Sequence, residues 1–420
     1  MTTVEAPETA GRGERRPNRI FRAYWAAVGV SQLGSAVSLV TIPLIAAVTL
    51  RATPDQMAWL VAAGMLPSLL VRVPAAAWSD SARDRVPLMI ACNVVQALII
   101  GLVPLLWVLD ALNFTTLVIL VGGASLAVGV YSSLSSPVLV EIVPKEDLVD
   151  SNGRISATRS VADIGGPALG GVLLAVLAAP WVVLVDAVSF LLSALLLTRV
   201  PSRRSPTAED TAPQRSPGGI LALARALAGR SGVQAAVTVG LVNGVVDTVL
   251  VLFMVHELRL HSSAVGLLLG LGAVGGVAGG LLVGKILGQH GPGPTLAVGV
   301  LVTILSLVLL PFAVAGWSGA TAVVVFELAG SFGGTLIIAT VFGSLQGAAP
   351  EGKVARVMAL AGAFLQVATL VGAAVGGVLG TRLGLRETVS VGVVLLVVAL
   401  VPQVVRWGAN RWKIDSQEIG

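Results

Sequence analysis

The sequence is poor in the residues from which soluble enzymes build reactive sites. It contains one cysteine, Cys92, so a disulfide within the chain and a cysteine-based metal site are both excluded. Its three histidines, His256, His261 and His290, are scattered without ligand spacing. No nucleophile, base and orienting group can be placed together. We therefore expect no enzyme activity, no metal and no other cofactor.

Charged and aromatic residues are also scarce. Charged residues make up 12% of the chain, compared with about 25% in soluble domains. Hydrophobic residues make up 55%, and the mean hydropathy is +0.91. This composition predicts an integral membrane protein. The net charge of +5 does not indicate nucleic acid, because the basic residues lie in short loops between apolar runs. An aromatic content of 5% argues mildly against an aromatic cage for a flat cation.

Apolar runs long enough to cross a bilayer recur along the whole chain. A span needs about 20 predominantly apolar residues. By this criterion we predict twelve spans, at residues 23–50, 57–77, 87–109, 115–134, 155–177, 181–197, 232–255, 264–287, 295–314, 319–341, 354–380 and 388–405. The fold class is therefore an all-α membrane protein.

A polar segment rich in proline and serine divides the spans into two sets of six. The predicted organisation is a tail at 1–22, a six-helix bundle at 23–200, a linker at 201–231, a second six-helix bundle at 232–406 and a tail at 407–420. The first span is too long for a signal-peptide core. We expect it to stay in the protein.

The loop charges predict the orientation. With the N-terminus inside, the inner loops and tails, together with the adjoining ends of the spans, hold 21 Lys and Arg residues and the outer loops hold 4. Basic residues are enriched in cytoplasmic loops, so both tails and the linker should face the cytoplasm. Abundant Ala, Val, Leu and Gly, with more Arg than Lys, are typical of a GC-rich bacterial gene. We expect the bacterial cytoplasmic membrane.

The two halves are similar in sequence. A shift of 206 positions aligns 144–173 with 350–379 without a gap, and the run GGVL coincides at 170–173 and 376–379. Repeated halves that hold a substrate between them near mid-membrane are an arrangement used by transporters. Pro167 becomes Ala373 in the second copy, so its kink belongs to one half.

The stretch 153–171, GRISATRSVADIGGPALGG, is the most distinctive in the chain. A proline after a glycine within a helix removes a backbone hydrogen bond and bends the helix, while glycines one turn apart let a neighbouring backbone approach closely. The pattern resembles the antiporter signature of the major facilitator superfamily, in which a glycine, eight residues, a glycine and three residues precede Gly-Pro-x-x-Gly-Gly in the fifth span. The matching positions are Gly153, Ala162 in place of the second glycine, Gly166, Pro167, Gly170 and Gly171.

This resemblance implies twelve transmembrane helices in two pseudo-symmetric six-helix bundles, and it implies that the protein is an antiporter. The alternative interpretation of the stretch 153–171 is a kinked helix that serves packing and has no influence on the direction of transport. The runs FRAYWAAVGVSQLGSAVSLVTIPL in the first span and WSDSARDRVPLMI after the second are similar to the branch that contains enterobactin exporters and macrolide efflux proteins. The arginine that many drug antiporters carry in the fourth span is missing.

The loop after the second span carries a variant of a superfamily motif, G-x-x-x-D-R-x-x-R. Ala76 replaces the glycine, Asp80 is kept, and Ser81 replaces the first arginine. The resemblance implies that Asp80 latches the cytoplasmic helix ends in the outward-facing state. The candidates for this cytoplasmic gate are Asp80, Arg83, Arg85 and Arg72, of which Arg72 either snorkels or meets an acidic partner such as Asp80.

Charged side chains inside spans are costly and are default candidates for function. Asp247 in span seven and Glu327 in span ten lie at similar depth in the second half, where a carboxyl group can load a proton on one side and release it on the other. Arg159 and Asp163, four residues apart in span five, are further proton-coupling candidates or a simple intrahelical pair. We expect Asp186 to be a solvated boundary residue and Glu141 to be a loop charge.

Uncharged polar residues recur in several spans. As a set they predict the lining of a substrate cavity, although helix–helix hydrogen bonding explains any one of them equally well. The candidates are Gln32, Ser35, Asn93, Gln96, Asn243 and Gln366.

Two glycine motifs of soluble nucleotide-binding proteins occur in span eight, where no strand precedes them, so we reject an ATP site. We interpret the glycines at four-residue spacing, Gly272, Gly276, Gly280 and Gly284, and Gly372, Gly376 and Gly380 in span eleven, as helix-packing faces.

The sequence thus predicts a monomeric secondary transporter that exports a hydrophobic or amphipathic small molecule, such as a macrolide or siderophore, in exchange for protons. The expected partners are this substrate, protons and the lipid bilayer, without nucleic acid. The alternatives are an uptake or lipid transporter of the same fold, or a membrane sensor without transport activity.

Overall fold

The structure, a computed structural model, describes residues 19–81, 84–201, 227, 231–349 and 354–408. Most of the N-terminal tail, most of the linker and most of the C-terminal tail, together with Arg83, lie outside these described residues. The backbone of Asp80 belongs to a helix, but its side chain is outside the described part.

The first half is helical throughout its spans. Its helices are α1 (Arg19–Leu44), α2 (Pro54–Ser81), α3 (Arg85–Val108), α4 (Phe114–Ile142), α5 (Leu148–Leu174), the short α6 (Ala179–Val182) and α7 (Leu184–Leu197). A π-helical turn, Ile45–Thr49, extends α1. Helix α5 runs through Pro167 without a break in its assignment.

The second half repeats this arrangement. Its helices are α8 (Ser231–Leu252), α9 (Ser262–His290), α10 (Pro292–Val308), α11 (Trp317–Val325), α12 (Ser331–Ala348), α13 (Val354–Arg382) and α14 (Leu385–Gly408). A π-helical turn, Phe253–Glu257, extends α8. A second one, Phe326–Gly330, joins α11 to α12 and interrupts the predicted tenth span at Glu327.

These helices form the twelve predicted spans, with α6 and α7 sharing one and α11 and α12 another. Among the described residues, ten segments are long and apolar enough to cross a membrane by hydropathy alone. Helices α2 and α5 complete the set with 28 and 27 residues. Their sequences carry the in-span charges Arg72, Arg159 and Asp163, which lower their apolar character.

Backbone geometry confirms that the halves are related. After the π-helical turn of each half comes a Leu-Arg pair whose arginine has a positive φ, 51° at Arg51 and 54° at Arg259. Helix packing repeats as well. A Cβ on Gly166 of α5 would strike Ala36 of α1, and a Cβ on Gly372 of α13 would strike Leu241 of α8. Positions 166 and 372 are 206 apart, which is the shift found in the sequence.

An even number of spans brings both ends of the chain to one side of the membrane. We call the side where α1 begins and α14 ends the terminal side, and the opposite side the far side. One buried apolar cluster, around Tyr24, Met89, Leu134 and Leu197, belongs to the first half alone and lies on the terminal side. The larger cluster contains residues of both halves.

Candidate functional site

Helix α8 is largely buried, but it has exposed polar residues at Gln234, Asn243 and Asp247. Asn243 and Asp247 lie one turn apart on one face. The side chain of Asp247 makes no hydrogen bond or ion pair with the rest of the described chain. A carboxyl group in this position is free to exchange a proton or to meet a substrate.

Glu327 lies in the π-helical turn between α11 and α12, where its side chain is half-buried. Turns of this type occur often at functional sites because they change the direction of a side chain. Its carboxylate lies against Gly272 of α9, near Ser331, and interacts electrostatically with Asp247. The structure therefore brings together the two acidic candidates of the second half.

Arg159 and Gln32 form the polar pair of the first half. With its amide oxygen turned toward the guanidinium group, Gln32 accepts hydrogen bonds from Arg159 Nε at 2.9 Å and from Nη2 at 3.2 Å. Arg159 and Asp163 are both exposed, and no ion pair within 4 Å joins them in the described structure. The intrahelical pair that the sequence allowed is thus replaced by a contact from α5 to α1.

The other polar candidates of the first half are engaged within the helix packing. Asn93 and Gln96 are 1% and 2% exposed. Asn93 donates to Ser193 Oγ at 2.9 Å, and Gln96 donates to the backbone oxygen of Cys92 at 3.2 Å. Their burial fits the alternative of helix–helix hydrogen bonding. In the second half Gln366 is half-buried on α13.

The prediction for Asp186 was wrong. We expected a solvated boundary residue, but the side chain is buried between α1 and α7, with 3% of the residue exposed. It accepts hydrogen bonds from Ser35 at 3.3 Å and from Ser189 at 3.4 Å. The position near a helix end suggested solvent, whereas the packing of α7 on α1 determines the burial.

The prediction that Glu141 is a loop charge was also wrong, because the residue belongs to helix α4. It forms an ion pair with Arg85, whose side chain is only 10% exposed. Arg85 also donates from Nε to the backbone oxygen of Ser79 at 3.0 Å. The start of α3 is thereby tied to the ends of α2 and α4. Arg72, by contrast, is exposed on the terminal half of α2.

The residues of the antiporter pattern have different surroundings. Gly166 packs on α1 within the first half, and Ala162 and Pro167 are buried. Gly170 has ordinary contacts with Val37, whereas a Cβ on Gly153 would meet no described atom within 4 Å. Gly171 contacts Gly266 and Leu267 of α9, across the boundary between the halves.

The glycines of span eight pack differently from the prediction. The close approaches of α9 to the segment from Leu328 to Thr335 are at Gly272, Gly275 and Gly279. Gly276 has one ordinary contact, and Cβ atoms on Gly280 and Gly284 would meet nothing within 4 Å in the described structure. A four-residue ladder drifts around a helix of 3.6 residues per turn, so its terminal members leave the contact face. The prediction for Gly372, Gly376 and Gly380 is confirmed.

On the far side the two halves touch. Helix α2 meets α13, where the Asp55 backbone N–H donates to Thr381 Oγ1 at 3.2 Å and the Thr381 hydroxyl donates to Asp55 Oδ1 at 3.0 Å. Helix α5 meets α9 at Gly171 and again at Ala168, whose nitrogen would lie 2.9 Å from a Cβ on Gly270. No sequence pattern singled out Asp55 or Thr381.

Near the terminal-side helix ends the glycines are less closely packed. A Cβ atom would meet no described atom within 4 Å at Gly153, Gly280, Gly284, Gly288, Gly343, Gly347 and Gly362. Among the described residues, the close contacts between the halves noted above thus lie on the far side. Within the described part of the structure, no group of three or more His, Cys, Asp or Glu residues could hold a metal ion.

The chain is similar to several solved structures of transporters. A bacterial homologue of the iron transporter ferroportin in an inward-facing state has a TM-score of 0.72 at 18% identity, covering 94% of this chain and 100% of that one. A bacterial homologue of the human lysosomal transporter Spinster, inward-facing and unoccupied, has a TM-score of 0.68 at 14% identity, covering 94% and 98%. The nucleoside transporter NupG has a TM-score of 0.70 at 12% identity, covering 94% and 100%.

These identities establish the shared fold alone. No curated protein matches the chain. The family model described as Major Facilitator Superfamily matches residues 24–373 and 235–413. Because this match covers most of the sequence, and because the twelve helices form two related halves, the chain belongs to the major facilitator superfamily of membrane transporters.

Proposed function

We propose that this protein exports a hydrophobic or amphipathic small molecule by alternating access, in exchange for protons. The single observation that carries the proposal is the pair of carboxyl groups, Asp247 and Glu327, which lie within membrane spans and are both at least partly accessible. A carboxyl group that faces a cavity can take up a proton from one side of the membrane and release it on the other when access changes.

The direction of transport follows from charge and sequence. The excess of Lys and Arg in the terminal-side loops favours a cytoplasmic terminal side. With the halves in contact on the far side, the proposed cavity would open toward the cytoplasm and receive its substrate there. The antiporter pattern at 153–171 favours exchange over uptake. Its glycines Gly166 and Gly171 contact α1 and α9, the helices whose relative motion would change access.

The proposed substrate class rests on the accessible polar side chains of the spans. Asn243, Asp247, Arg159 and Asp163 are exposed in helices whose other residues are mostly apolar or glycine. Such a surface suits a molecule that is largely apolar with several polar groups, and the similarity to enterobactin exporters and macrolide efflux proteins points to natural products of this kind. Uptake or lipid transport of the same fold, and a sensor without transport, remain the alternatives that the experiment must separate.

The test is accumulation of dyes, macrolides and siderophores in cells that lack their own efflux pumps. Wild type, Asp247→Asn and Glu327→Gln are compared with and without a protonophore, and Asp110→Asn, in a far-side turn, serves as the matched carboxyl control. Lower accumulation with wild type, lost with the protonophore and with either in-span substitution but kept by the control, supports proton-coupled export. Higher accumulation would indicate uptake. No difference across the panel would favour a sensor.

A further inference from the structure

Gly272 leaves a notch in α9 that the side chain of Glu327 fills. A Cβ built on Gly272 would overlap the carboxylate oxygen Oε2 of Glu327 and would lie 3.0 Å from Ser331 Oγ. Gly272 is buried, so the space that a Cβ would take is occupied by neighbouring atoms and not by solvent. The carboxyl group of Glu327 thus lies in the seam between α9 and the π-helical turn.

The seam cannot widen easily at this point. One and two turns further along α9, Cβ atoms on Gly275 and Gly279 would strike the backbone oxygens of Leu328 and Phe332. Such close backbone contacts fix the distance between two helices, because neither backbone can move without repacking its neighbours. At Gly272, in contrast, the overlapping atom is the end of a flexible side chain. A methyl group there would displace the carboxyl group and leave the helices in place.

The charged surroundings of Glu327 are simple. Asp247 approaches from α8 and interacts with it electrostatically. Helix α9 contributes Gly272, and α10 contributes Ser306, whose Oγ lies near Gly330 of the turn. Within the described residues Glu327 has no ion pair. If the carboxyl group of Glu327 is displaced from the notch, it can therefore move only toward the proposed cavity on the side of Asp247.

Building on the function proposed above, we propose that Gly272 is a positioning residue for Glu327. Its notch holds the carboxyl group in the helix seam, where water reaches only part of it. A side chain at position 272 moves the carboxyl group into the cavity, where water and solutes reach it. The same displacement alters any proton exchange that depends on Glu327.

The test measures how fast position 327 reacts with a water-soluble carbodiimide and a small amine, by mass spectrometry of purified protein in detergent. Gly272→Ala is compared with Gly276→Ala and Gly280→Ala, which add the same methyl group to the same helix where the structure has room. We expect Gly272→Ala to react severalfold faster than wild type and both controls to react at the wild-type rate. Equal rates for all four proteins, or a rise in all three variants, would overturn the proposal.

A second variant covers a failure of Gly272→Ala to fold. Glu327→Asp in the wild-type chain withdraws the carboxyl group from the notch by one methylene and should likewise react severalfold faster; an unchanged rate contradicts the notch. The reaction needs no transport. If labelling follows the prediction but the protein transports no compound, the proposed role of Gly272 is supported and the proposed export function is contradicted.

Discussion

Asp55 at the start of α2 and Thr381 at the end of α13 join the two halves by two hydrogen bonds, one to the backbone and one to the side chain of Asp55. The two residues are 326 positions apart and belong to different bundles. In the alternating access proposed above, the halves separate here when the far side opens, so these bonds would stabilise the conformation in which the far side is closed. They would have to break in every transport cycle.

Removing this contact should shift the conformational equilibrium. Thr381→Val removes both hydrogen bonds, which are exposed and contribute about 0.5 kcal/mol each. The total of about 1 kcal/mol should raise the ratio of far-side-open to far-side-closed molecules roughly fivefold. The measurement is the distance distribution between spin labels placed at the far-side ends of α2 and α13. Thr321→Val is the control, because its hydroxyl bonds only to Trp317 of its own helix. A distribution that matches wild type would show that the contact does not stabilise either state.

The ion pair between Arg85 and Glu141 should matter more for stability than exposed pairs do. Glu141→Ala removes the carboxylate from a guanidinium group that is 10% exposed, and loss of one partner from such a pair costs about 2 kcal/mol or more. Asp150→Ala breaks the exposed pair with Arg154, where 68% of the carboxylate side chain is accessible, and should change stability by under about 0.5 kcal/mol. Thermal unfolding in detergent compares the two. Equal losses would contradict the structural difference.

Two glycines of the antiporter pattern should respond in opposite directions to the same change. At Gly171 an added Cβ would lie 2.9 Å from the carbonyl carbon of Gly266, so Gly171→Ala should destabilise the protein by about 1–3 kcal/mol. At Gly153, where the helix is exposed and open, alanine should stabilise it by up to about 1 kcal/mol. Unfolding temperatures of the two variants measure this. A loss of similar size at Gly153 would mean that the structure lacks a neighbour for this residue.

Asn93 and Asn243 separate helix packing from cavity lining. Asn93→Ala leaves the buried hydroxyl of Ser193 without this hydrogen bond and should cost about 1–3 kcal/mol of stability, with the set of transported compounds unchanged. Asn243→Ala removes an exposed side chain next to Asp247, so it should change stability by under about 0.5 kcal/mol and alter transport. Unfolding curves and the accumulation panel test both. A change in substrate range with Asn93→Ala would assign that residue to the cavity.

Local rules explain which parts of the fold the sequence predicts. Each span is recognisable because a bilayer demands a long apolar run whatever surrounds it. The internal repeat is visible because two copies of one packing solution, Gly166 on α1 and Gly372 on α8, need small residues at equivalent positions. The charge bias of the loops is equally local. For the same reason Asp247 and Glu327 stood out, since a charge within an apolar run is recognisable without any knowledge of its neighbours.

The sequence by itself thus determined the membrane class, the number of spans, the division into two related halves and the acidic candidates. Only the tertiary structure decided the partners of the polar residues. It buried Asp186 against Ser35, paired Glu141 with Arg85, turned Arg159 toward Gln32 instead of Asp163, and placed Glu327 against Gly272. It also placed close contacts between the halves on the far side. These features depend on contacts between helices that are distant in the chain, and the spacing of residues along one helix contains no information about which face of another helix it will meet.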